Sequence, residues 1–175
     1  MRRVIAALLV AASATALAQS HQPYAGQEAR ALKALSAEEI DGYLAGAGMG
    51  FAKAAELNRY PGPMHSLELA GELGLDAGQR AAMEALMKRH KADARALGAE
   101  VVQLERELDA LFAERRATPE AVNAKTAEIG AALGRYRASH LTTHIAATQL
   151  LTQAQVAKYA ELRGYGPAGA LRHRH

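Results

Sequence analysis

Seven histidines and no cysteine set the chemistry open to this 175-residue chain. Without Cys there are no disulfides, no thiolate metal sites and no cysteine nucleophile. His140-Leu-Thr-Thr-His144 puts two imidazoles one helical turn apart on one face, a spacing that suits chelation of a single ion. The same spacing occurs in the zinc-protease motif, but Leu141 stands where that chemistry needs a catalytic Glu, so proteolysis is excluded. His65, Glu68, Met87 and His90 supply further nitrogen, oxygen and sulfur donors. Together these residues predict a divalent transition metal, Zn, Ni, Co or Cu, as cofactor. Nothing else in the sequence marks a substrate cleft, and no enzyme is expected. Gly46-Ala-Gly-Met-Gly50 lacks a preceding strand and the spacing of a dinucleotide loop, and reads instead as a kink or a close helix contact.

The elements that must position these donors are helices. Ala is the commonest residue and only 5% of the chain is aromatic, a composition that favours helix over sheet. Ser36 with Glu39 forms a capping box, and a helix is expected from there toward Asn58. Pro61-Gly-Pro63 breaks the chain, and a short helix follows from Met64 to about Leu73. Asp76 with Gln79 opens a long helix reaching about Arg115. Its apolar seam runs through Met83, Met87, His90, Ala94, Leu97, Val101, Leu104, Leu108 and Leu111 in alternating steps of four and three. Thr118 and Pro119 start the next helix, whose seam of Val122, Ile129, Leu133, Tyr136, His140 and Ala147 ends near Leu151. Thr152 with Gln155 caps a last short helix that stops at Gly164.

The fold expected is therefore all-α: a long antiparallel helical hairpin with shorter flanking helices. A bare hairpin buries too little, so a homodimer is expected as well. With the turn near position 116, His90 faces position 143, between His140 and His144. Folding the short helix back brings His65 beside Met87, so His65, His90, His140 and His144 gather in one layer near Glu68.

The chain ends carry a second set of expectations. Residues 1–18 read as a cleaved signal peptide, with Arg2 and Arg3 before an apolar run and Ala16-Leu-Ala18 as the processing site. Residues 19–35 read as a flexible N-terminal segment, 36–165 as the helical domain and 166–175 as a disordered tail. Processing would expose Gln19-Ser20-His21, a copper- or nickel-binding terminus, whereas His173 and His175 read as tail decoration. The net charge of +3 falls to near +1 without the leader, which removes the argument for a nucleic-acid partner. The location expected is the periplasm.

Leu75-Asp76-Ala-Gly-Gln79 and Leu151-Thr152-Gln-Ala-Gln155 share one pattern, Leu-[Thr/Asp]-x-x-Gln. Two such copies on an exported, Cys-free helical chain resemble the LTxxQ family of periplasmic proteins, the Spy/CpxP group. The histidine placement resembles its heavy-metal-resistance branch, of the ZraP and CnrX-like kind. The resemblance spans about residues 64–163, with Asp76 replacing the usual Thr. It implies a stress or resistance protein that senses or buffers a heavy metal. It equally implies an ATP-independent chaperone or envelope-stress regulator, with unfolded clients or a membrane-bound sensor as partners. In that second case Arg89, Lys91, Arg95, Arg135 and Arg137, beside Leu86 and Met87, would hold clients.

Overall fold

The computed structural model describes residues 22–165. The expectations for the signal peptide, for Gln19-Ser20-His21 and for the tail with His173 and His175 lie outside them. Six helices follow in order: α1 (Ala37–Ala45), α2 (Lys53–Leu57), α3 (Pro63–Glu68), α4 (Ala77–Ala113), α5 (Pro119–Gln149) and α6 (Gln153–Leu162). The chain is all-α across the described residues, and none of its helices is long and apolar enough to cross a membrane.

The starts of the helices obey local chemistry. Ser36, Asp76 and Thr152 each accept a hydrogen bond from the backbone N–H three residues on, and Glu39, Gln79 and Gln155 each reach back to the cap's own N–H. Two orphan amides are thus satisfied at each end. Thr118 caps α5 through the Ala121 N–H, and Pro119 occupies the first turn, where its missing N–H costs nothing.

The expected helix from Ser36 toward Asn58 is two helices. Gly46, Met49 and Gly50 all adopt positive φ (66°, 44° and 81°), which no α-helix accommodates. The break lets α1 lie across α4. A methyl group on Gly98 would overlap the Tyr43 carbonyl, and Gly46 packs against the Ala94 and Arg95 backbone. The short helix is also shorter than expected. α3 stops at Glu68, and turns carry the chain through Gly74, whose φ is +63°. Residues 22–35 form turns and bends, but Leu32 is buried and Leu35 packs on the main core.

α4 and α5 run side by side in opposite senses. Lys125 bonds Glu107 and Arg135 bonds Glu100, each at 2.6 Å. Further from the turn, His90 meets His140 and not position 143. Tyr136, His140, Thr143 and Ala147 form one buried stripe, and the imidazole on that stripe is the partner His90 finds. The main core lies where α1 crosses this pair: Tyr43, Ala94, Val101, Val102, Ala132 and Tyr136.

A second cluster, Ala70, Leu73, Leu75 and Tyr159 with Leu151 against it, joins the two Leu-x-x-x-Gln segments. There the Gln79 amide donates to Gln155 Oε1 at 2.8 Å and the Gln155 amide donates back to Gln79 Oε1 at 2.9 Å. Gln79 also donates to the Leu150 carbonyl and Gln155 to that of Leu73. Each side chain therefore closes its own capping box and bridges to the other. Asp76 and Thr152 are exposed caps at this junction, and Leu75 is buried beneath it.

Candidate metal-binding cavity

A cavity of about 570 Å³ opens between the Gly46–Gly50 loop, α3, α4 and α5. All four helical histidines line it, as does Met87. Their nitrogens are arranged in pairs. His90 Nε2 and His140 Nδ1 lie 3.1 Å apart and share one proton. The rings meet edge-on with centroids 4.6 Å apart, and Tyr136 covers the other side of His140 at 4.8 Å. Ser139 Oγ approaches His90 Nδ1 at 3.4 Å.

His144 and His65 are each oriented through Nδ1. The His144 Nδ1–H donates to the Tyr60 carbonyl at 2.7 Å, since a carbonyl can only accept. The His65 Nδ1–H donates in the same way to Glu68 Oε2 at 2.7 Å. In the neutral rings both Nε2 atoms then carry lone pairs. A carbonyl or carboxylate behind the far ring nitrogen is how proteins orient metal-binding imidazoles. Glu68 itself is exposed and stands behind His65, outside the cavity wall.

Sequence reasoning missed the buried polar groups on the α2 and α6 side. Glu56 on α2 accepts the Tyr159 O–H at 2.5 Å, lies 3.5 Å from Arg163 Nε and puts its other oxygen 3.6 Å from His144 Nδ1. Burial first, and then the Glu56 contact, raises the Tyr159 phenol well above its ordinary value, so it stays a donor. Gly62 was also missed. A Cβ there would come within 2.6 Å of His144 Cε1, so the ring rests directly on the backbone between two buried prolines. The Pro61-Gly-Pro63 string was legible only as a break, because nothing local announces a ring packed from 82 residues away.

Electrostatics keep the inner pair neutral. Burial, then the neighbouring His90 and His144, pushes His140 down to about 4. Burial likewise lowers His90, with His144 adding to the shift and Asp93 opposing it. Tyr136, raised to about 12 by burial and by Tyr43, donates to the Ala47 carbonyl and pins the loop that forms the cavity's edge.

Three buried side-chain atoms among the described residues have no hydrogen-bond partner in the protein: Glu56 Oε2, His140 Nε2 and Arg163 Nε. All three residues line this one cavity. No family model, curated protein or solved structure matches the chain.

The expected layer is thus partly assembled. His65, His90, His140, His144 and Met87 share one cavity wall. Among the described residues, however, no three His, Asp or Glu side chains stand together as a ready ligand set. The donors form three pairs around an open space: His90 with His140, His65 with Glu68, and His144 with Glu56. The 3.1 Å between the His90 and His140 nitrogens is near the roughly 3.3 Å edge of a tetrahedron with 2.0–2.1 Å bonds. One ion in place of the shared proton fits that pair.

Proposed function

We propose that this is an exported metal-binding protein of the LTxxQ type, which senses or buffers a transition-metal ion through the histidine cavity. The observation that carries the reading is the convergence of four imidazoles on one cavity, two of them with ring nitrogens 3.1 Å apart. His140 is only 4% exposed, and its Nδ1 lies 3.1 Å from His90 Nε2. His140 and His90 would hold the ion, with His144 or His65 completing the set and Tyr60 and Glu68 orienting those two from behind. An ion drawing these pairs together shifts the positions of α3 and the Gly46–Gly50 loop relative to α4 and α5. A signal can be read from such a shift if the two states bind the ion with different affinity.

Zn(II), Ni(II), Co(II) and copper titrated into wild type and into His140→Ala/His144→Ala test the reading. The expected result is a loss of at least about a hundredfold in affinity for the bound metal. Equal affinity in the two proteins overturns it.

The finer architecture belongs to the same reading: a helical hairpin of α4 and α5 that pairs with a second copy. Leu57, Tyr60 and Ile145 are exposed apolar residues, and burying them between copies supports it. A chaperone reading draws on the same exposed apolar groups, with the solvated Arg89, Lys91, Arg95, Arg135 and Arg137 on the neighbouring helices. Suppression of client aggregation at stoichiometric ratios supports that alternative, and its failure removes it.

A further inference from the structure

Methionine is distributed unevenly in this molecule. Of the four methionines after the initiator, Met83 is sealed in the core, while Met49, Met64 and Met87 all line the histidine cavity. Met64 is 47% exposed at the cavity wall, where an ordinary apolar filler gains little from being there. Met64 is adjacent in sequence to His65 on α3, and Met87 lies one turn before His90 on α4. Met49 is different, because its sulfur packs on Gly42 of α1, where a Cβ would come within 2.7 Å.

The charge of the wall points the same way. Its donors are neutral: imidazole nitrogens and thioether sulfurs. Among the described residues its only carboxylate is Glu56, which already serves Tyr159 and Arg163. Lys53, Lys91 and Arg163 add three cations. The Coulomb cost of placing a dication beside these is twice that of a monocation at the same point. Thioether and imidazole donors without anionic ligands are the chemistry of a soft monovalent ion.

We infer that the ion this cavity selects is Cu(I), held by Met64 and Met87 together with imidazoles of the His90–His140 pair. The inference rests on the metal-binding reading above and replaces its divalent ion with a monovalent one.

The test is anaerobic titration of Cu(I) against a chromophoric competitor, with Zn(II) titrated in parallel, on wild type, Met64→Leu/Met87→Leu and His140→Ala/His144→Ala. Methionine-to-leucine exchange conserves volume and leaves the fold intact. Copper X-ray absorption gives a second readout, and because the chain has no Cys, any sulfur bound to copper is methionine sulfur. The expected result is copper–sulfur scattering that disappears in the methionine variant. Cu(I) affinity there falls tenfold or more, while Zn(II) affinity stays within about twofold. Copper bound only through nitrogen, or with unchanged affinity in the methionine variant, overturns the Cu(I) inference and leaves the histidine site standing. No binding of either ion overturns both.

Discussion

Two polar assemblies tie the short helices to the long pair, and they are built on opposite principles. At the Gln79–Gln155 junction each amide closes a helix cap, bonds the other amide and reaches a carbonyl of the opposite segment. In the histidine cavity, His140 Nε2 is buried without a partner, and Glu56 meets Arg163 Nε and His144 only at ion-pair distances of 3.5 and 3.6 Å. A fully satisfied buried network rigidifies the structure, whereas a half-satisfied one is less stable than an apolar packing of the same space. The junction therefore holds the molecule together, and the cavity sacrifices stability for a role that packing does not explain.

The largest expected effect comes from removing the junction. Gln79→Ala/Gln155→Ala should lower stability by about 2–4 kcal/mol, less than the sum of the single variants because the two amides share their bonds. Urea unfolding of the four proteins of that cycle measures it, and metal affinity should remain within about twofold. A loss of metal binding there would dissolve the distinction between the two assemblies.

The cavity should respond in the opposite direction. The folded chain accepts a proton on His140 only near pH 4, whereas the unfolded chain does so near 6.5. The His140 contribution to stability is therefore constant above about pH 6.5, falls as the pH drops toward 4 and levels off below it. The full loss is of order 3 kcal/mol, and the lowered His90 adds to it in the same sense. His140→Leu should abolish most of that slope. It should also match or exceed wild-type stability at pH 7, by up to about 1 kcal/mol, while losing the metal. A steep acid slope surviving in His140→Leu would show that another group drives it.

A smaller effect is expected at the cavity's floor. Gly62→Ala must displace the His144 ring, at a cost of about 1–2 kcal/mol in thermal unfolding and roughly tenfold in metal affinity. The smallest is a control on the outer face. Arg135 and Glu100 form an exposed ion pair, and Arg135→Ala should change stability by less than about 0.5 kcal/mol and leave metal affinity unaltered.

The parts of this molecule that are encoded locally were readable from its residues. Ser36, Asp76, Thr118 and Thr152 mark four helix starts through their own side chains, and the four-three alternation from Met83 to Leu111 traces the face that α4 turns inward. From the position of one turn, the meeting of His90 with α5 followed to within three residues. The rest depends on contacts distant in sequence. The break after Ala45 rests on a positive φ at Met49 as well as at two glycines, and that is held by α1 crossing α4 at Gly98. Glu56, Arg163 and Tyr159 looked like ordinary helix-face residues because their side chains meet only in the folded chain. The two glutamines were legible as caps, but their pairing across the molecule was not.

That pairing also constrains the order of events in folding. α4 and α5 are joined by the few residues from Glu114 to Thr118, so their contacts near the turn close a short loop and can form early. Gln79 and Gln155 are 76 residues apart and meet only when both long helices already lie alongside one another. The long loop it closes makes the junction a latch expected to set late, after the turn contacts. A latch of that kind leaves the rate of folding almost untouched and governs how slowly the finished molecule comes apart.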